Sequence, residues 1–221
     1  MERRLFDRLL VLFAALIIIV VLSPFLLGNV VGQSFIYFMA VISCVATVYG
    51  LRLGRRAVLL TIFLGVLSAL LGVVSLLVES ISIDALSIVL SVLFYGFLIA
   101  LLIRYIISAK EVTADILYGS VCVYLLMGIV FAIIYRFIDV LDPAAFSGGA
   151  AVSGGAPKGG EFTYFSFVTL TTLGYGDILP VSRYAKTFAF LEAIAGTLYV
   201  AILISRLVSL YITHSIMRKR Q

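Results

Sequence analysis

The residues with the most evident chemistry lie in one run, Thr171-Thr172-Leu173-Gly174-Tyr175-Gly176-Asp177, followed by Ile178-Leu179-Pro180. It holds no nucleophile, base and orienting acid, and no cluster of metal-ligating side chains. Its chemistry is that of backbone oxygen. A cation that sheds its water needs replacement oxygens on all sides, and a narrow extended segment can offer successive carbonyls if they all face one way. Aiming them so demands backbone angles that glycine reaches without steric penalty, which gives Gly174 and Gly176 a purpose. The Thr172 hydroxyl can add an oxygen at the inner end. Leu173 and Tyr175 are expected to point away from the ion and fix the width of the ring, and Asp177 to brace the segment and concentrate cations at its outer mouth.

Such a segment has to be held by helices in a membrane. The chain of 221 residues is 63% hydrophobic and 12% charged, with a mean hydropathy of +1.23, too apolar for a water-soluble domain of this length. Six runs approach the roughly 20 apolar residues a spanning helix needs: Leu9–Leu27, Ser34–Leu51, Arg56–Val78, Ala85–Ile107, Ile116–Ile138 and Ala185–Thr213. The first follows Arg3, Arg4 and Arg8 as a secretory signal would, but its length and the lack of a small-x-small cleavage site favour a retained span. Twelve of the sixteen Lys and Arg residues then fall on the side of the N-terminus, against Arg136, Lys158, Arg183 and Lys186 on the other. The positive-inside rule therefore predicts a multi-pass cell-membrane protein with both ends cytoplasmic. The net charge of +5 reflects these topology signals rather than a nucleic-acid partner.

Between the last two runs comes Asp142-Pro143 and a Gly, Ala and Ser tract from Phe146 to Pro157, expected to be a flexible external turret. Glu161 to Thr171 is aromatic and too short to span, which suits about three turns of a re-entrant helix. Cys44 and Cys122 sit in apolar runs and His214 is the lone histidine, so no disulfide framework, zinc site or cofactor is expected.

Thr172 to Gly176, with Asp177 after it, resembles the selectivity filter of the potassium-channel family, and Gly196 lies twenty residues past Gly176, where that family often places a hinge glycine in the inner helix. The resemblance runs from about Ile116 to Thr213. It implies an all-α membrane protein with six transmembrane helices, one re-entrant pore helix and a filter strand, assembled as a homotetramer around one axis. Residues 1–112 would be a four-span domain and 113–221 the pore domain, passing potassium ions passively through rings formed by Thr172, Leu173, Gly174, Tyr175 and Gly176. Leu173 stands where the family usually carries Val or Ile, so a weakly selective cation channel is the nearest alternative. A non-conducting membrane sensor or scaffold is a more distant one, since it has no need of an intact filter.

Other residues admit two readings each. Glu192, an acid within the last apolar run, either supports the filter from behind or is a packed helix contact. Gly196 is either the hinge or a site of close packing. Gly65, Ala69 and Gly72 read as packing residues. Arg104 is the lone basic residue of the fourth run, too few for a conventional voltage sensor.

Overall fold

The computed structural model describes residues 3–26, 30–51, 54–78, 80–109, 113–148 and 160–219. It contains seven helices among these residues: α1 (Arg3–Leu26), α2 (Val30–Gly50), α3 (Arg55–Leu77), α4 (Ile81–Ser108), α5 (Ala114–Leu141), α6 (Glu161–Leu170) and α7 (Arg183–Lys219). Lipid cannot hydrogen-bond a backbone, so helices that pair their polar groups internally are the solution such a composition forces. α2 to α5 and α7 are each long and apolar enough to cross a membrane, while the apolar run described in α1, Leu9–Ser23, is shorter. The chain is a helical membrane protein.

α1 to α4 pack in sequence, each against the next, except that α1 and α4 both also lie on α5. The core they share has helical spacing: Leu9, Leu12 and Leu16 from α1, Val41, Cys44 and Val48 from α2, Phe94, Leu98, Leu102 and Ile106 from α4, and Cys122, Val123 and Leu126 from α5. The two cysteines are free and buried within it. Gly65, Ala69 and Gly72 are buried on α3. A methyl group at Gly65 would stand 2.9 Å from the Phe94 ring, and one at Gly72 would stand 3.0 Å from the Tyr37 ring. Small residues here let helices approach closely.

At the far end of α5 a second core forms from Tyr135, Ile138, Phe146, Phe162, Phe165, Ile178 and Ala185. Its rings meet edge to face, Tyr135 on Phe165 at 4.9 Å and Phe146 on Phe162 at 5.1 Å between centroids, the favoured geometry for aromatic pairs. This core contains a feature absent from an all-α expectation. Phe146–Gly148 (β1) and Ile178–Pro180 (β2) form a two-stranded antiparallel sheet with Phe146 opposite Pro180 and Gly148 opposite Ile178. Val181 N–H extends it by donating to the Ala145 carbonyl at 2.7 Å. Phe146 therefore belongs to the core and not to a loose turret. Positions 149–159 of the tract lie outside the described residues, as do 27–29, 52–53, 79 and 110–112 between helices.

Candidate functional site: the loop between α6 and α7

α6 begins with Glu161 in its first turn, where a carboxylate suits the positive end of the helix dipole. It is held between α5 and α7. Ser166 and Glu192 are both fully buried there. Glu192 accepts hydrogen bonds from the Tyr135 hydroxyl on α5 and the Ser166 hydroxyl on α6, each at 2.5 Å. Ser166 also lies 2.7 Å from the Gly128 carbonyl of α5, and a hydroxyl has one hydrogen to give at a time. One buried carboxylate thus joins the three helices around the loop. A carbon added at Gly128 would stand 2.7 Å from the Phe167 ring, so this junction is also closely packed.

The C-terminal end of α6 is tied to the first residues of the loop. Thr171 N–H donates to the Phe167 carbonyl, Thr172 N–H to Thr169, and Leu173 N–H and Gly174 N–H both to Val168. The Leu170 carbonyl accepts from the Tyr124 hydroxyl of α5 at 3.2 Å. Four successive amide groups are therefore spent on the end of α6.

Past that anchor the backbone alternates in hand. Thr172, Gly174 and Gly176 have φ of +58°, +58° and +78°, while Leu173 and Tyr175 between them do not enter the positive region. Alternate residues of opposite hand swing each peptide plane so that successive carbonyls face one side, instead of opposite sides as in a β-strand. Thr172 is the one described non-glycine residue with positive φ, a conformation uncommon for L-residues and found where the surroundings over-determine it.

The outer end is braced by Tyr164. Its hydroxyl donates to Asp177 Oδ2 at 2.7 Å, while Asp177 Oδ1 accepts from Ile178 N–H at 3.1 Å. The rings of Tyr164 and Tyr175 stack at 6.4 Å with planes 7° apart. The bond to the Asp177 carboxylate pushes the Tyr164 phenol up to about 12. The raised value keeps the donor protonated across neutral pH, and the bond's contribution is lost only as pH rises past about 10 toward 12.

Residues 171–177 are all exposed in the single chain, with Leu173 at 56% and Tyr175 at 67%. α7 passes the loop at Gly196, where an added methyl group would run into the Leu170 carbonyl oxygen. The structure thus brings Glu192 and Gly196 to the α6 side of the loop and Asp177 to its far end. Tyr135, Tyr164 and Ser166 carry contacts that the residue pattern alone did not single out. An aromatic residue in the first turn of α6, together with an acid just after Gly176, is the signal that could have identified Tyr164.

Residues 119–213 match the family described as "Ion channel". A 38% identical stretch of 80 residues is shared with "Two pore potassium channel c" of Oryza sativa subsp. japonica. Over residues 119–213 the chain is similar to ion channels. The shared stretch covers 36% of this chain and 18% of the rice protein, so the chain aligns with under a fifth of that relative. No solved structure gives a significant match. The matched stretch comprises most of α5, the β1–β2 clasp, α6, the loop and most of α7.

Proposed function

We propose that the chain is one subunit of a potassium channel, and that four copies around one axis line a path through which potassium ions move passively down their gradient. The alternating hand of Thr172 to Gly176 carries this reading. With the amides of 171–174 bound to α6, the carbonyls are left to face a common axis. Rings of carbonyl oxygens from Thr172, Leu173, Gly174, Tyr175 and Gly176, with the Thr172 hydroxyl, would replace the hydration shell of each ion.

One such segment cannot surround an ion. The exposure of Leu173 and Tyr175, and the burial of only 11% of the span Arg183–Ser209 against 28% or more of the other long helices, fit a pore completed by neighbouring copies. In this assembly α1 crosses the membrane as a sixth span, and both chain ends are cytoplasmic in a cell membrane. Residues 1–112 form a membrane domain beside a pore domain of 113–221. Asp177 braces the outer mouth through Tyr164, Glu192 holds α6 to α5 and α7, and Gly196 is the point at which α7 bends.

The test is the reversal potential of reconstituted protein in planar bilayers, with a potassium gradient opposed by sodium and barium then added. A reversal near the potassium equilibrium value with barium block is expected. A reversal near zero with robust current would favour the weakly selective cation pore, for which the half-exposed Leu173 is the relevant residue; absence of current at every voltage would count against conduction altogether. In the same assay Tyr164→Phe keeps the ring stack on Tyr175 but removes the donor to Asp177. Its potassium-over-sodium permeability ratio is expected to fall severalfold, while assembly is unchanged.

A further inference from the structure

The geometry points to Arg206 as a positioning residue that couples the four N-terminal helices to the inner half of α7. The inference rests on the channel reading above and adds to it a route of control.

A helix leaves its last four carbonyls without partners inside the helix and gathers partial negative charge there. α4 ends at Ser108, and Ala109 turns into extended backbone at φ −69° and ψ 136°. Ala109 N–H caps the Ile106 carbonyl at 3.2 Å, and the carbonyls at this end also meet a residue about a hundred positions away. Arg206 Nη2 donates toward the carbonyls of Ile106 at 3.0 Å, Ile107 at 2.5 Å and Ala109 at 3.4 Å. The guanidinium keeps its charge under all ordinary conditions and spreads several donors in a fixed plane, which suits it to a cluster of acceptors. Arg206 Nε is buried without a hydrogen-bond partner, so the base of the head group is packed into the junction, while the bond to Ile107 lies at its exposed edge. Leu207 and Tyr199 of α7 pack on the same core as α1 to α5.

The position along α7 gives the contact its consequence. Arg206 lies ten residues beyond Gly196, about 15 Å down the helix, on the part of α7 that moves if the helix bends at Gly196. At its other end α4 is held by the outer helix of the pore module. Asp84 in the first turn of α4 pairs with Arg136 of α5 at 2.6 Å, and Arg136 also donates toward the Tyr37 hydroxyl of α2 at 3.4 Å. α4 is thus fastened at its start to α5 and at its end to α7. A shift or tilt of α4 acts on the inner half of α7 through Arg206, which gives the first four helices a mechanical hold on the pore without a row of sensor arginines.

The test uses the full chain with Arg206→Ala, Arg206→Gln and Arg206→Lys, reading open probability and reversal potential in bilayers. It also reads the distance between spin labels at Ser108→Cys and Ser205→Cys, both exposed positions, with labelled subunits diluted in unlabelled ones; the native cysteines are buried. Loss of a charged hydrogen bond should change the ratio of open to closed channels about tenfold or more in Arg206→Ala. The reversal potential should stay the same, the label distance should broaden or lengthen, and Lys but not Gln should restore most of both effects. If Arg206→Ala fails to assemble, the Gln and Lys variants decide the matter, and equal behaviour of those two overturns the proposal. So does an open probability within about twofold of wild type with an unaltered label distance. Should the wild type show no potassium-selective current, the channel reading fails by itself, and the label distance still reports whether Arg206 holds α7 to α4.

Discussion

Gly176→Asp protein is expected to assemble yet pass no potassium-selective current. Gly176 has φ of +78°, a conformation in which an added Cβ has nothing of its own chain within 4 Å. Crowding inside one subunit is therefore not the cause. An L-residue in left-handed backbone costs about 1–2 kcal/mol, and the proposed assembly of four copies would repeat that cost at each of four positions facing one axis. The backbone has an escape, since turning the peptide relieves the strain while removing a carbonyl from its ring. Four carboxylates added at the same level would also rearrange the charge next to Asp177. Tyr175→Ala reaches the same end by another path, since it deletes the ring that stacks on Tyr164 and leaves the width of the segment unset. The check is the reversal potential under opposed potassium and sodium gradients, with assembly size measured in parallel. Selectivity equal to wild type in both variants would mean that ions take a path other than residues 172–176.

The second large effect is expected at Gly196. A side chain there meets the Leu170 carbonyl oxygen, with the Leu170 Cδ1 methyl 3.0 Å away. The oxygen is backbone at the end of α6, one residue before the anchored amides of 171–174, so it cannot give way without moving the loop. Overpacking of this sort costs about 1–3 kcal/mol per site in a close-packed interior. Gly196→Val should therefore lose potassium selectivity along with current, and Gly196→Ala should show a smaller drop in the permeability ratio. A role confined to bending of α7 makes a different forecast: open probability would change in Gly196→Ala with the permeability ratio intact. Measuring both quantities on the alanine variant separates the two, and an unaltered ratio would rule out the seat against Leu170 as the reason glycine is needed.

The helices were legible because their signal is local. Apolar runs placed α3 at Arg56–Val78 and the structure has Arg55–Leu77; α6 was expected at Glu161–Thr171 and spans Glu161–Leu170. The largest boundary differences are at α1, which begins at Arg3 rather than Leu9, and at α7, which continues to Lys219 rather than stopping near Thr213, since these end turns are too polar to count as membrane span. The left-handed backbone at Gly174 and Gly176 was legible because it is written in residue type. Contacts between distant positions left no such trace. The partners of Glu192 lie 57 and 26 residues away, and Arg206 reads in sequence as one more topology charge while its acceptors lie 97 to 100 residues off. β1 and β2 are three residues each and contain Gly148 and Pro180. Runs so short, with residues disfavoured in strands, carry no periodicity to read.

The β1–β2 clasp also sets what the external connection is free to become. Strands joined at Gly148 and Ile178 close one connection that contains 149–159, α6 and the loop at 171–177, and the chain entropy lost in closing a loop grows only with the logarithm of its length. Each doubling costs about 0.6 kcal/mol. The stretch at 149–159 can therefore lengthen, shorten or accept a foreign peptide at little thermodynamic cost, as long as the pairing of Phe146 with Pro180 and of Gly148 with Ile178 survives. The clasp separates a stretch where sequence drift is cheap from the proposed ion path at residues 172–176, where one added carbon is not.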